Sequence, residues 1–182
     1  MLFRSDPNDY QAHWALGWAS LYNRDYQKAM AEYLRARELN PNDAEVLAEM
    51  SNLLIYVGQP KRAIDQLKEA IQLNPFHEPW YDEYLGWAYE EAGMPKEALE
   101  IFEQAIDLQN PDDDQLWFLP ILAAAYADPA IGRMDDARKV IKTILSRKPE
   151  FSISETVSKR PYKTQGQIDR YVNALRRAGL PK

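Results

Sequence analysis

The chain has 182 residues, of which 46% are apolar, so it is long enough to bury a hydrophobic core of its own. It contains no cysteine, which excludes disulfides, thiolate metal sites and cysteine nucleophiles. The net charge of −6 is unevenly spread: residues 1–132 hold nine Lys/Arg and 23 Asp/Glu, whereas residues 133–182 hold 13 and five. This asymmetry is typical of proteins that steer a partner electrostatically or join head to tail. The alternative is that solvated helix faces simply differ in charge.

Prolines divide the chain at a nearly fixed interval. Pro7, Pro41 and Pro75 recur every 34 residues, and Pro111 and Pro149 follow at slightly longer intervals. A period of this length is typical of stacked helix–turn–helix repeats. Each period also carries two small residues at corresponding positions, which predicts two helices that pack closely where side chains are small. These positions are Gly17, Ser51, Gly86 and Ala123 in the first helices, and Ala29, Ala63, Ala98 and Ala137 in the second.

The pattern resembles the tetratricopeptide repeat over residues 8–149. That resemblance implies an all-α fold, a right-handed α-solenoid of about four helix pairs followed by C-terminal capping helices. The predicted segments are a remnant of a preceding repeat (1–7), four repeats (8–41, 42–75, 76–111 and 112–149) and the capping helices (150–182). The remnant suggests that the natural array extends upstream, because an uncovered first repeat would expose an apolar face.

Local signals predict where the helices begin and end. Asn8 and Asn42 are expected N-caps, since Gln11 and Glu45 follow them at capping-box spacing. Pro60 and Pro95 suit the first position of second helices, where a missing N–H costs little. Glycines are expected in the turns between paired helices, at Gly58, Gly93 and Gly132. Pro120 lies inside the expected first helix of the fourth unit and predicts a kink or a late helix start.

The segment after Pro149 departs from the repeat. Ser152 with Glu155 and Thr164 with Gln167 form capping boxes, and Gly179 ends the second of the two predicted helices. The apolar face of that second helix would close the open end of the array. The tail, with Arg160-Pro161-Tyr162-Lys163 and a Leu-Arg-Arg-Ala-Gly-Leu-Pro ending, also resembles the C-termini of certain bacterial multidomain regulators. In these, a tetratricopeptide region follows an adenylate/guanylate cyclase domain or a winged-helix DNA-binding domain.

Motifs for catalysis are missing from the sequence. The chain has two histidines, His13 and His77, without a second imidazole at helical spacing, so neither suits a zinc site. Its seven glycines form no phosphate-binding loop, and Asp112–Asp114 lack the alternation and glycine of a calcium loop. We therefore expect no enzyme activity in this chain, no cofactor and no metal. Nucleic acid is not an expected partner because the chain is acidic overall, and the N-terminus has no signal-peptide pattern, which favours a cytoplasmic location.

The expected binding surface is the concave face that first helices line in tetratricopeptide arrays. All five tryptophans fall on predicted first helices, and tryptophan and tyrosine give large, stiff contact areas. The alternative is that these rings pack between neighbouring repeats. The predicted groove residues are Trp14, Trp18, Tyr22, Glu49, Asn52, Tyr56, Trp80, Glu83, Trp87, Glu91 and Trp117.

The chemistry of that groove predicts its partner. It lacks lysine and arginine, and only Asn52 suits the clamp that some tetratricopeptide domains use for a free carboxylate. Rings beside acidic residues instead favour a protein or peptide with basic or apolar side chains, through charge pairing and cation–π contact. The leading hypothesis is thus a protein–protein interaction scaffold. The competing hypothesis is self-association, in which the acidic and basic ends of two copies meet.

Overall fold

The computed structural model describes residues 9–106 and 115–182. In these two stretches all regular secondary structure is helical, and the prediction of an all-α solenoid is confirmed. The helices are α1 (Tyr10–Tyr22), α2 (Tyr26–Leu39), α3 (Ala44–Tyr56), α4 (Pro60–Leu73), α5 (Trp80–Glu91), α6 (Pro95–Ala105), α7 (Gln115–Tyr126), α8 (Met134–Arg147), α9 (Ile153–Ser158) and α10 (Gln165–Ala178). Residues 1–8, with the expected cap Asn8 and the remnant of a preceding repeat, lie outside the described residues.

The first eight helices pack in consecutive pairs, α1 with α2 through α7 with α8. Small residues set the distance within a pair. A Cβ added to Gly17 would lie 2.9 Å from the Tyr33 ring, and one added to Gly86 would lie 2.7 Å from the Phe102 ring. The alanines at the facing positions of the second helices, such as Ala63 and Ala98, are completely buried. The aromatic ring of one helix therefore occupies the space that its partner leaves by lacking a side chain.

Turn and cap residues fix most helix boundaries as predicted. Pro60 and Pro95 begin α4 and α6, and Gly58 before α4 has a φ of +77°, which a residue with a Cβ rarely adopts. The prediction of Asn42 as an N-cap is wrong, because the cap of α3 is Asp43, whose carboxylate accepts from the Val46 N–H at 3.0 Å. A carboxylate at the N-terminus also interacts favourably with the helix dipole, which an asparagine amide does not.

Helix α7 is the most apolar of the array. Its residues from Phe118 to Tyr126 are almost entirely buried, and Pro120 lies inside the helix instead of marking its start. Residues 107–114, which precede α7, lie outside the described part of the chain. No helix within 9–106 and 115–182 combines the length and apolarity needed to cross a membrane.

The tail forms the two predicted helices. Ser152 caps α9 and Thr164 caps α10, and α10 ends at Gly179 with a φ of +94°. Helix α10 packs against α7 and α8, as expected of a cap, and the Ile153 N–H donates to the Pro181 carbonyl at 2.8 Å. However, the segment between α9 and α10 also reaches back to α2, which the sequence did not predict: Arg24, just before α2, donates to the carbonyl of Tyr162.

The close packing within pairs predicts the effect of enlarging a buried alanine. We expect Ala63→Leu or Ala98→Leu to destabilise the fold by about 1–3 kcal/mol, because the added atoms overpack a filled site. Urea unfolding followed by circular dichroism measures this change. Ala31→Leu, the same substitution on the exposed side of α2, is the matched control and should leave the midpoint nearly unchanged. Equal midpoints for all three variants would contradict the packing described here.

Candidate functional site

A concave groove with a volume of about 820 Å³ crosses the first helices of all four pairs. We call it the open groove. Every helix among α1, α3, α5 and α7 contributes at least two side chains, so the groove is a product of the stacking. Its lining residues are Trp14, Ala15, Trp18, Tyr22, Glu45, Glu49, Trp80, Tyr84, Trp117 and Phe118.

Helical spacing places the aromatic rings on one face of each helix. Trp14, Trp18 and Tyr22 follow one another at four-residue intervals on α1, and the Trp18 and Tyr22 ring centroids are 4.8 Å apart. On α5, Trp80 and Tyr84 have the same spacing and meet at 5.2 Å in an edge-to-face arrangement. The Tyr84 ring contacts Phe118 of α7 at 5.6 Å. One set of rings on α1 and a second, joined set on α5 and α7 therefore form the aromatic wall of the groove, whereas α3 contributes carboxylates.

Part of this wall remains open to solvent. Trp18 is 46% exposed, whereas Trp14, Tyr22, Trp80 and Trp117 are half-buried. A tryptophan with this exposure has given up much less water contact than a core residue. Burial of these rings by a partner would release further apolar surface from water, which is the main favourable contribution to association.

Two carboxylates of α3 give the groove its charge. Glu45 is exposed, whereas Glu49 is buried and accepts hydrogen bonds from Tyr84 Oη at 3.4 Å and Asn52 Nδ2 at 3.5 Å. Burial raises the pKa of Glu49 to about 7, and the bonds from Asn52 and Tyr84 only partly offset this effect. None of the ten lining residues is basic. The groove thus offers an exposed carboxylate and a buried one that titrates near neutral pH.

The structure brings six of the predicted groove residues together in the open groove and places the other five elsewhere. The six are Trp14, Trp18, Tyr22, Glu49, Trp80 and Trp117. Asn52 lies just behind them, where its amide donates to Tyr84 Oη at 3.1 Å and holds that ring in place. Glu83 is buried within the array.

The remaining three predicted residues lie under the tail. Tyr56 and Trp87 are buried, with ring centroids 4.7 Å apart, and the Tyr162 ring covers Tyr56 at 5.3 Å. The Glu91 carboxylate accepts from Arg170 at 3.0 Å and from Gln167 at 3.4 Å, both on α10. The tail therefore covers the part of the predicted concave surface that is formed by the C-terminal ends of α3 and α5.

Four lining residues were not among the predicted groove residues: Ala15, Glu45, Tyr84 and Phe118. Tyr84 could have been found, because it stands four residues after Trp80 and so shares its face of α5. Phe118 follows Trp117 directly and lies on a helix that is apolar all round, so periodicity alone does not show which side faces the groove.

Comparison with known structures supports the same architecture. The chain superimposes on PilW, described as a widely conserved type IV pilus biogenesis factor, with a TM-score of 0.71 at 16% identity, covering 96% of this chain and 76% of that one. It also resembles YrrB, described as a TPR protein with an unusual peptide-binding site, with a TM-score of 0.59 at 16% identity and coverage of 94% and 85%. At these identities the likeness concerns the fold.

Sequence relatives and family models identify the repeats. The chain is 29% identical over 102 residues to small glutamine-rich tetratricopeptide repeat-containing protein 2 of Mycosarcoma maydis, which covers 56% of this chain but only 28% of that relative. Models of the tetratricopeptide repeat match residues 10–43, 44–77 and 79–123, together more than half of the chain. With four stacked helix pairs, closely packed small residues and these three matches, the chain belongs to the tetratricopeptide repeat family.

Proposed function

We propose that this chain is a non-catalytic interaction scaffold that holds a peptide or helix with basic and apolar side chains in the open groove. The observation that carries the proposal is the lining itself: seven aromatic rings, two carboxylates and no basic residue. Such a surface binds an apolar side chain through its rings, and it attracts a cation through the carboxylates and the ring faces.

The size of the groove suits this role. About 820 Å³ lies in the range of about 300–1,000 Å³ that binding pockets usually have, and it accommodates several side chains of a bound segment. The similarity to YrrB supports the proposal, since that TPR protein is described as having a peptide-binding site. The two histidines do not line the groove: His13 pairs with Glu32 and His77 with Asp82, which suits structural roles.

The context of the whole protein is a separate proposal. The chain spans about a quarter of the length of the curated relatives that it matches. We infer from the amino-acid sequence of the tail that this chain is the C-terminal module of a larger bacterial signalling or regulatory protein, such as an adenylate cyclase, in the cytoplasm. This inference rests on the residues around Arg160–Lys163 and Leu175–Pro181 and is independent of the groove.

Self-association through opposite charges is the competing proposal. Part of the charge asymmetry is already used within one chain, because Arg170 of the tail pairs with Glu91 at 3.0 Å and Arg133 pairs with Glu103 at 2.6 Å. These contacts join the basic C-terminal region to the acidic repeats without a second copy. We therefore favour peptide binding over assembly as the function of the array.

The groove can be tested with an exposed tryptophan. Titration of peptides rich in lysine, arginine and aromatic residues should change the tryptophan fluorescence, and Trp18→Ala should weaken binding about tenfold, as loss of a central aromatic anchor does. Phe76→Ala is the matched control, because Phe76 is 96% exposed and lies outside the groove. Equal affinities of wild type and Trp18→Ala would remove the groove from the mechanism. Acidic peptides of the same length should not bind.

The raised pKa of Glu49 predicts a pH-dependent affinity. A bound cation favours the ionised carboxylate, so affinity should rise with pH as Glu49 loses its proton through a pKa of about 7. We expect binding of a basic peptide to strengthen up to about tenfold between about pH 6 and pH 8. Isothermal titration calorimetry at both values measures this. Glu49→Gln should abolish the pH dependence. A wild-type affinity that decreases as the pH rises would contradict binding of the peptide's cation by the Glu49 carboxylate.

A further inference from the structure

The segment that joins α9 to α10 lies on the concave surface like a bound peptide. We call Arg160–Lys163 the docked segment; it is not helical, and its backbone is held by side chains near the start of α2. Arg24 donates to the Tyr162 carbonyl at 3.1 Å and to the Arg160 carbonyl at 3.3 Å. Tyr26 Oη donates to the Pro161 carbonyl at 3.2 Å. Repeated side-chain contacts to a backbone are a common way to bind a peptide segment.

The core of the array also contacts this segment. The Lys163 N–H donates to the Tyr56 carbonyl at the end of α3 at 3.0 Å. The Tyr162 side chain packs against the Tyr56 and Trp87 rings, with centroid distances of 5.3 and 6.1 Å. The docked segment is only four residues long, yet it contacts all four repeats, because Arg160 also reaches Trp117 of α7.

A buried arginine anchors the segment. Arg160 is 1% exposed, and its guanidinium lies 4.4 Å from the Trp117 ring centroid and 5.4 Å from those of Trp87 and Tyr171. It donates to the Trp117 carbonyl, and none of the ion pairs in the described residues includes it. A cation enclosed by rings in this way is recognised by their negative faces and by a carbonyl rather than by a carboxylate.

Closing the end of the array does not require this arrangement. The apolar residues of α10, such as Leu175 and Ala178, already pack against α7 and α8. A buried charge opposes folding unless its geometry is closely matched, so an end cap alone would favour an apolar residue at position 160. The buried arginine together with the backbone hydrogen bonds is typical of sequence-selective recognition.

We propose that the concave surface contains a second peptide-binding site, formed by Arg24, Tyr26, Tyr56, Trp87 and Trp117. It recognises an arginine followed by a proline and an aromatic residue, and its occupant in this structure is the chain's own docked segment. A segment of the same chemistry from another protein competes with the docked segment for this site. The site shares only Trp117 with the open groove, so it stands apart from the function proposed for that groove.

The test uses the full chain and a fluorescent peptide with the sequence of residues 158–165, Ser-Lys-Arg-Pro-Tyr-Lys-Thr-Gln. In the wild type the tethered tail competes at an effective concentration of about millimolar, so the added peptide binds weakly. Arg160→Ala removes the anchor of the tail but leaves the site intact. Fluorescence polarisation should show that this variant binds the peptide at least about tenfold more tightly than the wild type. A peptide with alanine in place of the arginine should bind the Arg160→Ala variant no more tightly than it binds the wild type.

Two further variants keep the result interpretable. Arg176→Ala removes an exposed arginine of α10 outside the site and should bind the peptide like the wild type. Arg160→Lys keeps the charge but loses the planar guanidinium, so it should show a smaller gain in the same direction. Trp18→Ala should leave this binding unchanged, which separates failure of this proposal from failure of the open groove. Equal affinity for the two peptides in both Arg160 variants would overturn the proposal.

A measurement on the wild type decides the question if the Arg160 variants do not fold. Millimolar unlabelled peptide should displace the docked segment and speed hydrogen exchange at the Lys163 N–H, whose acceptor is the Tyr56 carbonyl. The alanine peptide should have no effect. Exchange that is the same with either peptide would show that the tail is a fixed part of the fold.

Discussion

Gly86 packs so closely against Phe102 that an added methyl group would lie 2.7 Å from the ring, and Gly17 meets Tyr33 at 2.9 Å in the same way. These contacts set the distance between paired helices. Since each pair contacts mainly its neighbours, an error in that distance would propagate along the stack. Close packing within the pair is therefore the condition on which the curvature of the array and the alignment of its first helices depend.

Alignment of the first helices turns single residues into a surface. Trp18 on α1, Glu49 on α3, Tyr84 on α5 and Phe118 on α7 are far apart in sequence, yet they line one groove. Each side chain is placed by the helical period within its own repeat and by the repeat period between neighbours. A solenoid can thus build a concave surface from its helices without loops.

The repeat pattern predicted the fold well because every signal in it is local. Prolines, turn glycines and small residues act within one repeat, and they recur in register, so each repeat supports the interpretation of the next. The N-cap of α3 is Asp43 and not the predicted Asn42. Both residues suit that position, and only the geometry of the turn selects between them. Such one-residue choices are not encoded in spacing.

The binding surface was predicted only in part, for a different physical reason. The first helices fix the rings of Trp14, Trp18, Trp80 and Trp117, whereas the exposure of Tyr56, Trp87 and Glu91 depends on the path of a tail more than 60 residues away. That path is set by long-range contacts, such as Arg24 with Tyr162, which leave no periodic trace in the sequence. Sequence reasoning could identify the tail as capping helices but not the surface that it covers.

The part of the concave surface that the tail covers provides information about the ligand of the open groove. The rings and acidic residues of the sequence predict a basic and apolar partner for the whole surface. The segment that fills the covered part is Arg160-Pro161-Tyr162-Lys163, which has this chemistry. The open groove presents the same kinds of side chain, with Trp117 common to both and with Glu45 and Glu49 in addition. Since rings of this concave surface already enclose an arginine and a tyrosine, the intramolecular contact supports the basic and apolar partner proposed for the groove that remains open.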